Sequence, residues 1–173
     1  GFEAWAFKNR ISFCLFSEDP GKMDAIQSQF NAVYPNTRFM DAELKFIPLK
    51  PGDCLSSASM DLEFSYCRAR SFDMFEYDPL SFLLEAMDSH SSAMLQVMFK
   101  PKEIPPKCLQ ELAKRLEKLE PELYDGVMDE ASSKLSSRCF DVLVRMSAVS
   151  DDYRRARETV EAVANAFAVF NGK

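Results

Sequence analysis

Nucleophilic, metal-binding and acid/base chemistry draw on a short set of side chains, and this chain holds few of them in a productive pattern. Its five cysteines, Cys14, Cys54, Cys67, Cys108 and Cys139, are odd in number and widely spread, with no C-x-x-C pair. That spacing fits neither a disulfide framework nor a zinc site, so reduced thiols are expected. Cys14, Cys67 and Cys139 fall in segments that read as strands, where a free thiol behaves as a small hydrophobe. Cys54, in a Gly52-Asp53-Cys54 turn, is the thiol best placed to react. The single His90 lies in the polar stretch Asp88-Ser89-His90-Ser91-Ser92 with no partner nearby, and reads as solvated.

The remaining charged clusters have structural readings. Asp151-Asp152 suits a helix start, and Glu117 with Glu120 suits a solvated helix face. Arg154, Arg155 and Arg157 form the densest basic cluster, but only Tyr153 accompanies them, whereas a nucleic-acid surface interleaves several aromatics. Pairing with Glu158 and Glu161 on an exposed helix is the favoured reading. The five glycines are isolated, and neither G-x-x-x-x-G-K nor G-x-G-x-x-G occurs. No catalytic, cofactor-binding or metal-binding residue is assigned, no cofactor is expected, and binding or assembly is favoured over catalysis.

The elements that would position any such group follow from composition and period. The 173 residues are 47% hydrophobic, with fifteen Phe, nine Met and five Tyr against five Gly, which predicts packed helices and strands in one domain or two closely packed lobes. A net charge of -6 argues against phosphate neutralisation, so no direct nucleic-acid partner is expected. No apolar run approaches the roughly 20 residues that span a bilayer, and no signal-peptide pattern opens the chain. A soluble cytoplasmic piece without membrane insertion is expected. Gly1 in place of an initiating Met is expected to mark either a tag scar or an excised fragment, which leaves room for further domains or a membrane segment outside the piece.

Alternation over Phe2–Ser17 predicts a hairpin turning at Asn9. Asp19-Pro20 then opens a helix carrying Met23, Ile26, Phe30, Val33 and Tyr34, which ends before Pro35-Asn36. Arg38–Leu49 and Leu62–Phe75 read as two antiparallel strands joined by a loop containing Ser56, Ser57 and Ser59. Asp78-Pro79 opens a short helix with Leu80, Leu83, Leu84 and Met87 on one stripe, followed by a strand over Met94–Phe99 that Pro101 terminates. Pro105-Pro106 starts a long helix with Leu109, Leu112, Leu116, Leu119 and Leu123 at helical spacing, broken or kinked at Pro121. That stripe is expected to pack on its own sheet, with a partner-helix seam as the alternative. Phe140, Val142, Val144 and Met146 alternate as a strand, and Ser150-Asp151-Asp152 caps a last helix burying Ala156, Val160, Val163, Phe167 and Phe170.

The strand-then-helix unit at 11–34 is echoed at 140–170. The predicted fold is α+β: a ferredoxin-like antiparallel sheet with helices on one face over residues 1–101, its six elements lying within 10–99. Residues 102–173 add a helix-strand-helix unit that extends the sheet or forms a partial second lobe, possibly within one single domain.

Three blocks carry a more specific resemblance. Ile11–Phe16 with Met23–Asn36, Asp78–Met87 with Leu95–Pro101, and Lys134-Leu135 with Phe140–Phe170 are similar to the accessory N-terminal domain that precedes the motor in HerA-like and TraC-like ATPases of conjugative type IV secretion. Asp41–Met60 does not match that pattern, and the motor's Walker motifs are absent. The resemblance implies a non-catalytic assembly or docking domain at the inner face of a membrane, with self-association or secretion-channel components as partners. A ferredoxin-like module that binds a small regulatory ligand is the alternative, because such sheets host many functions. A thiol enzyme using Cys54 is a third reading.

Overall fold

The computed structural model describes residues 1–7, 10–41, 49–60, 74–87, 92–103, 107–119 and 124–170. Strands β1 (Phe2–Phe7) and β2 (Arg10–Leu15) form a hairpin, followed by helix α1 (Pro20–Val33), strand β3 (Cys54–Met60), helix α2 (Pro79–Met87) and strand β4 (Ser92–Lys102). Helices α3 (Cys108–Leu119) and α4 (Tyr124–Leu135) separate β4 from β5 (Cys139–Ser150), and α5 (Tyr153–Ala166) ends in a 3-10 turn over Phe167–Phe170.

Three helices start by one device. The Asp19 carboxylate accepts from the Gly21 N–H at 3.0 Å, Asp78 from the Leu80 N–H at 2.9 Å, and Asp152 from the Arg154 N–H at 2.8 Å. Each aspartate satisfies an amide that the helix itself leaves open. Pro20 and Pro79 stand at the first helical position, where their missing N–H costs nothing.

The α+β fold is built on a five-stranded sheet in the order β2-β1-β4-β5-β3, with every neighbouring pair antiparallel. One face is the core. Ala4, Leu95, Met146 and Ala58 lie side by side across four strands, flanked by Ala6, Ala93 and Ala148. Leu83 and Met87 from α2 and Val160 and Val163 from α5 close over them. The many alanines let these two helices sit close to the sheet. Each fully buried large side chain, such as Leu95 or Met146, contributes about 1.5–3 kcal/mol.

Several expectations change. The serines assigned to a loop belong to β3, whose register with β5 runs unbroken from Cys54 opposite Ser150 to Met60 opposite Val144. Their small polar side chains hid a period of two in which Cys54, Ser56, Ala58 and Met60 are half-buried while Leu55, Ser57 and Ser59 are exposed. β4 continues through Pro101 to Lys102, because there it pairs with β5 alone and its other edge needs no N–H. The helix α4 was not foreseen; it contains Gly126 and two serines, and no strong apolar stripe announces it.

The lobe expected within 10–99 would place β2 beside β4, but β1 occupies that position. β5, from the second stretch, lies between β4 and β3, which run in the same direction. Residues after 101 therefore supply a central strand and its covering helix, extending the same sheet. The expected turn at Asn9, the strand over Leu62–Phe75 up to residue 73, most of Arg38–Leu49, the Pro105-Pro106 start and Pro121 lie outside the described residues.

Candidate interaction surfaces

The face of the sheet opposite the core carries a line of polar groups. Glu3, Gln96 and Arg145 are neighbours in register on β1, β4 and β5. Period two puts Trp5 on the same face as Glu3, and the Trp5 indole N–H donates to Glu3 Oε2 at 2.8 Å. The Gln96 amide donates to Glu3 Oε1, and Arg145 Nε donates to Gln96 Oε1 at 2.9 Å. Glu3 is 6% exposed, so these donors replace its water. On the next row Ser57 and Ser147 join hydroxyls at 2.9 Å.

This line holds three strands in register. Each oxygen of Glu3 accepts a hydrogen bond, so the carboxylate clamps β1 to β4. Cys14 faces Glu3 across the hairpin. Burial first, and the negative charge of Glu3 second, push the Cys14 thiol up from its ordinary value, away from a reactive thiolate.

A second surface is the apolar side of α1. The helix buries none of its residues. Phe30 is 37% exposed, Val33 68% and Tyr34 56%, with Met23 and Ile26 half-buried beside them. Phe30 meets Tyr34 at 4.9 Å with the rings tilted by 38° and meets Phe39 edge-on at 5.6 Å. The echo between 11–34 and 140–170 therefore holds for local structure and cap but not for packing, since α5 buries Ala156, Thr159, Val160 and Val163.

A third surface lies at the far ends of β4 and β5. Among the described residues β1 pairs with β4 as far as Val97 and β3 with β5 as far as Val144, while β4 and β5 stay paired through Met98–Lys102 and Cys139–Leu143. Exposed Phe99, Phe140, Val142 and Leu143 lie along this stretch, with Phe99 and Phe140 in edge-to-face contact at 6.1 Å. Lys102 and Asp141 form an ion pair there, and the hydrogen bond to Asp141 holds the Lys102 ammonium above its ordinary value. A cleft of about 420 Å³ is lined by Pro101, Lys102, Arg138, Cys139 and Phe140.

The residues singled out from sequence do not converge. Cys54 is the half-buried first residue of β3 and not part of a turn, Cys108 opens α3, and Cys139 opens β5 with its thiol 3.4 Å from the Lys134 carbonyl. Cys67, His90 and Glu120 lie outside the described residues, and Glu117 is exposed on α3. Asp152 caps α5, and the Arg154–Glu158 and Arg157–Glu161 pairs at 2.8 and 2.7 Å form the solvated face expected of that helix. Asp151 pairs with Arg155 at 3.5 Å. Of the leucine stripe, Leu112 is buried and Leu109 half-buried, and α3 packs on α4. Among the described residues no group of three His, Cys, Asp or Glu side chains is arranged to hold a metal ion, and no helix is long and apolar enough to cross a membrane.

The Glu3 clamp was missed in the sequence, although Glu3 and Trp5 two apart in an alternating strand mark one face. Gln96 and Arg145 carry no local signal, because only strand order brings them there.

Residues 1–133 match a family described as Domain of unknown function (DUF8128). No curated protein and no solved structure matches the chain.

Proposed function

The chain belongs to the DUF8128 family, and from that premise we propose that it is a non-catalytic docking domain of a secretion or conjugation ATPase of the HerA/TraC type. The observation that carries this reading is the uncovered apolar side of α1. An amphipathic helix that leaves Phe30, Val33 and Tyr34 in water has its natural cover on another protein. The same helix belongs to the block of sequence that resembles the accessory domains of these ATPases. In this reading the domain works at the cytoplasmic side of a membrane channel without inserting, and the nucleotide chemistry belongs to a motor.

The test is binding to a motor fragment bearing G-x-x-x-x-G-K, encoded in the same reading frame or an adjacent gene, measured by interferometry. Replacing Phe30 and Val33 by Asp removes two apolar anchors and adds charge to the contact. Affinity is expected to fall about 100-fold or more. Unchanged affinity in the F30D/V33D variant, no binding by the parent chain, or ATP hydrolysis by the purified chain itself would each overturn the reading.

A further inference from the structure

The cleft at the far ends of β4 and β5 is bounded by described residues: Pro101 and Lys102 of β4, Cys139 and Phe140 of β5, and Arg138 just before β5. Its volume of about 420 Å³ lies at the small end of the range that holds bound organic molecules. The register sets Pro101 opposite Phe140 and Lys102 opposite Cys139, so strand pairing itself places all the lining residues but Arg138. Arg138 is set by the connection from α4. Ser136 and Ser137 donate their N–H groups to the carbonyls of Ser132 and Lys134 at 3.0 and 3.1 Å, and the Cys139 thiol donates to the Lys134 carbonyl at 3.4 Å. Bonds on both sides of Arg138 therefore fix its backbone in advance of any ligand, which lowers the cost of binding.

The lining divides into an apolar part and a charged part. Pro101 and Phe140 offer two rings, and Phe140 is steadied by its edge-to-face contact with Phe99. Lys102 is paired with Asp141, so its charge is already answered. Arg138 is exposed, and among the described residues no carboxylate lies within ion-pair distance of it. Its guanidinium is a planar fork of donors that matches a carboxylate. One unanswered cation, with the Asp141 carboxylate beside Lys102, suits a monoanion and disfavours a dianion.

We propose that this cleft binds a small organic acid, with its single carboxylate on Arg138 and its apolar body on Phe140 and Pro101. The site shares no residue with α1, so it stands or fails apart from docking to a motor.

Nuclear magnetic resonance of the isotope-labelled chain tests this, because Lys102, Arg138, Cys139 and Phe140 each carry a reporting N–H. Hydrocinnamate and isocaproate are the probes, each beside its neutral amide, which keeps the body and loses the charge. At least one acid is expected to shift these N–H signals saturably with a Kd of about 1 mM, and its amide to bind about 10-fold more weakly or worse. Arg138→Gln should weaken the acid about 10-fold and leave the amide unchanged, whereas Phe140→Ala should weaken both. Saturation by neither acid, an amide that binds as well as its acid, shifts confined to other parts of the chain, or an acid affinity unchanged in either variant would each refute the proposal. Should a variant not fold, the comparison of acid with amide on the wild-type chain decides alone.

Discussion

At the scale of single residues the costliest group is Glu3, a carboxylate 6% exposed whose oxygens accept from Trp5 and Gln96. Truncation to Ala leaves the indole N–H and the amide of Gln96 without their acceptor in a half-buried place. Glu3→Ala is expected to lower unfolding free energy by about 1–3 kcal/mol in urea titrations. Trp5 is the only tryptophan, so its emission should also shift as its hydrogen bond is lost. Unaltered stability and emission would show that the clamp does not hold the strands. This residue was legible in part: alternation in Phe2–Phe7 puts Glu3 and Trp5 on one face, but their partner Gln96 is 93 positions away from Glu3.

At the scale of elements, aspartate caps were the clearest signal in the sequence, because a cap is a local bond between residues two apart. What the cap is worth depends on what the helix buries. α5 covers the core with Val160 and Val163, whereas α1 buries nothing. Asp152→Ala is therefore expected to cost the whole molecule about 1 kcal/mol, while Asp19→Ala frays α1 and leaves the global transition nearly unmoved. Urea unfolding followed by Trp5 fluorescence, beside amide exchange within α1, distinguishes the two. Equal global losses would mean that α1 is as well integrated as α5. The strand β3 and the helix α4 were hidden for related reasons. Serine-rich Ser56–Ser59 has turn composition, and its strand conformation is imposed by the ladder with β5, a tertiary choice that overrides propensity. The leucine stripe of α3 was visible, but its partner α4 was not, so the stripe was expected to pack on the sheet.

At the scale of the whole molecule, strand order is what sequence concealed most fully. Phe140–Met146 announced itself as a strand by period two, but nothing in it says that it enters between β4 and β3. Two groups in the sheet link stability to alkaline pH. The Cys14 thiol is pushed above its ordinary 9.0 by burial and then by Glu3. The folded state thus keeps a proton that the unfolded chain releases, so this contribution is complete below about pH 9 and is lost as pH rises through the folded-state value. The raised Lys102 has the same sign at higher pH, above its ordinary 10.5. Calorimetry across neutral to alkaline pH should show a Tm that falls above about pH 9, with a shallower fall in Cys14→Val. An equal slope in that variant would remove Cys14 as a cause.

The pairing of β4 with β5 also bears on the order of folding. The two longest strands are neighbours in the sheet, yet residues 103–138 intervene between them. Closing a flexible loop of that length costs about 3 kcal/mol in its length-dependent part alone. Helices α3 and α4 form from local contacts and pack on each other, so they shorten the effective tether before the strands meet. The helical pair thereby does for this interrupted hairpin what a tight turn does for β1 and β2: it decides when the sheet's centre can assemble.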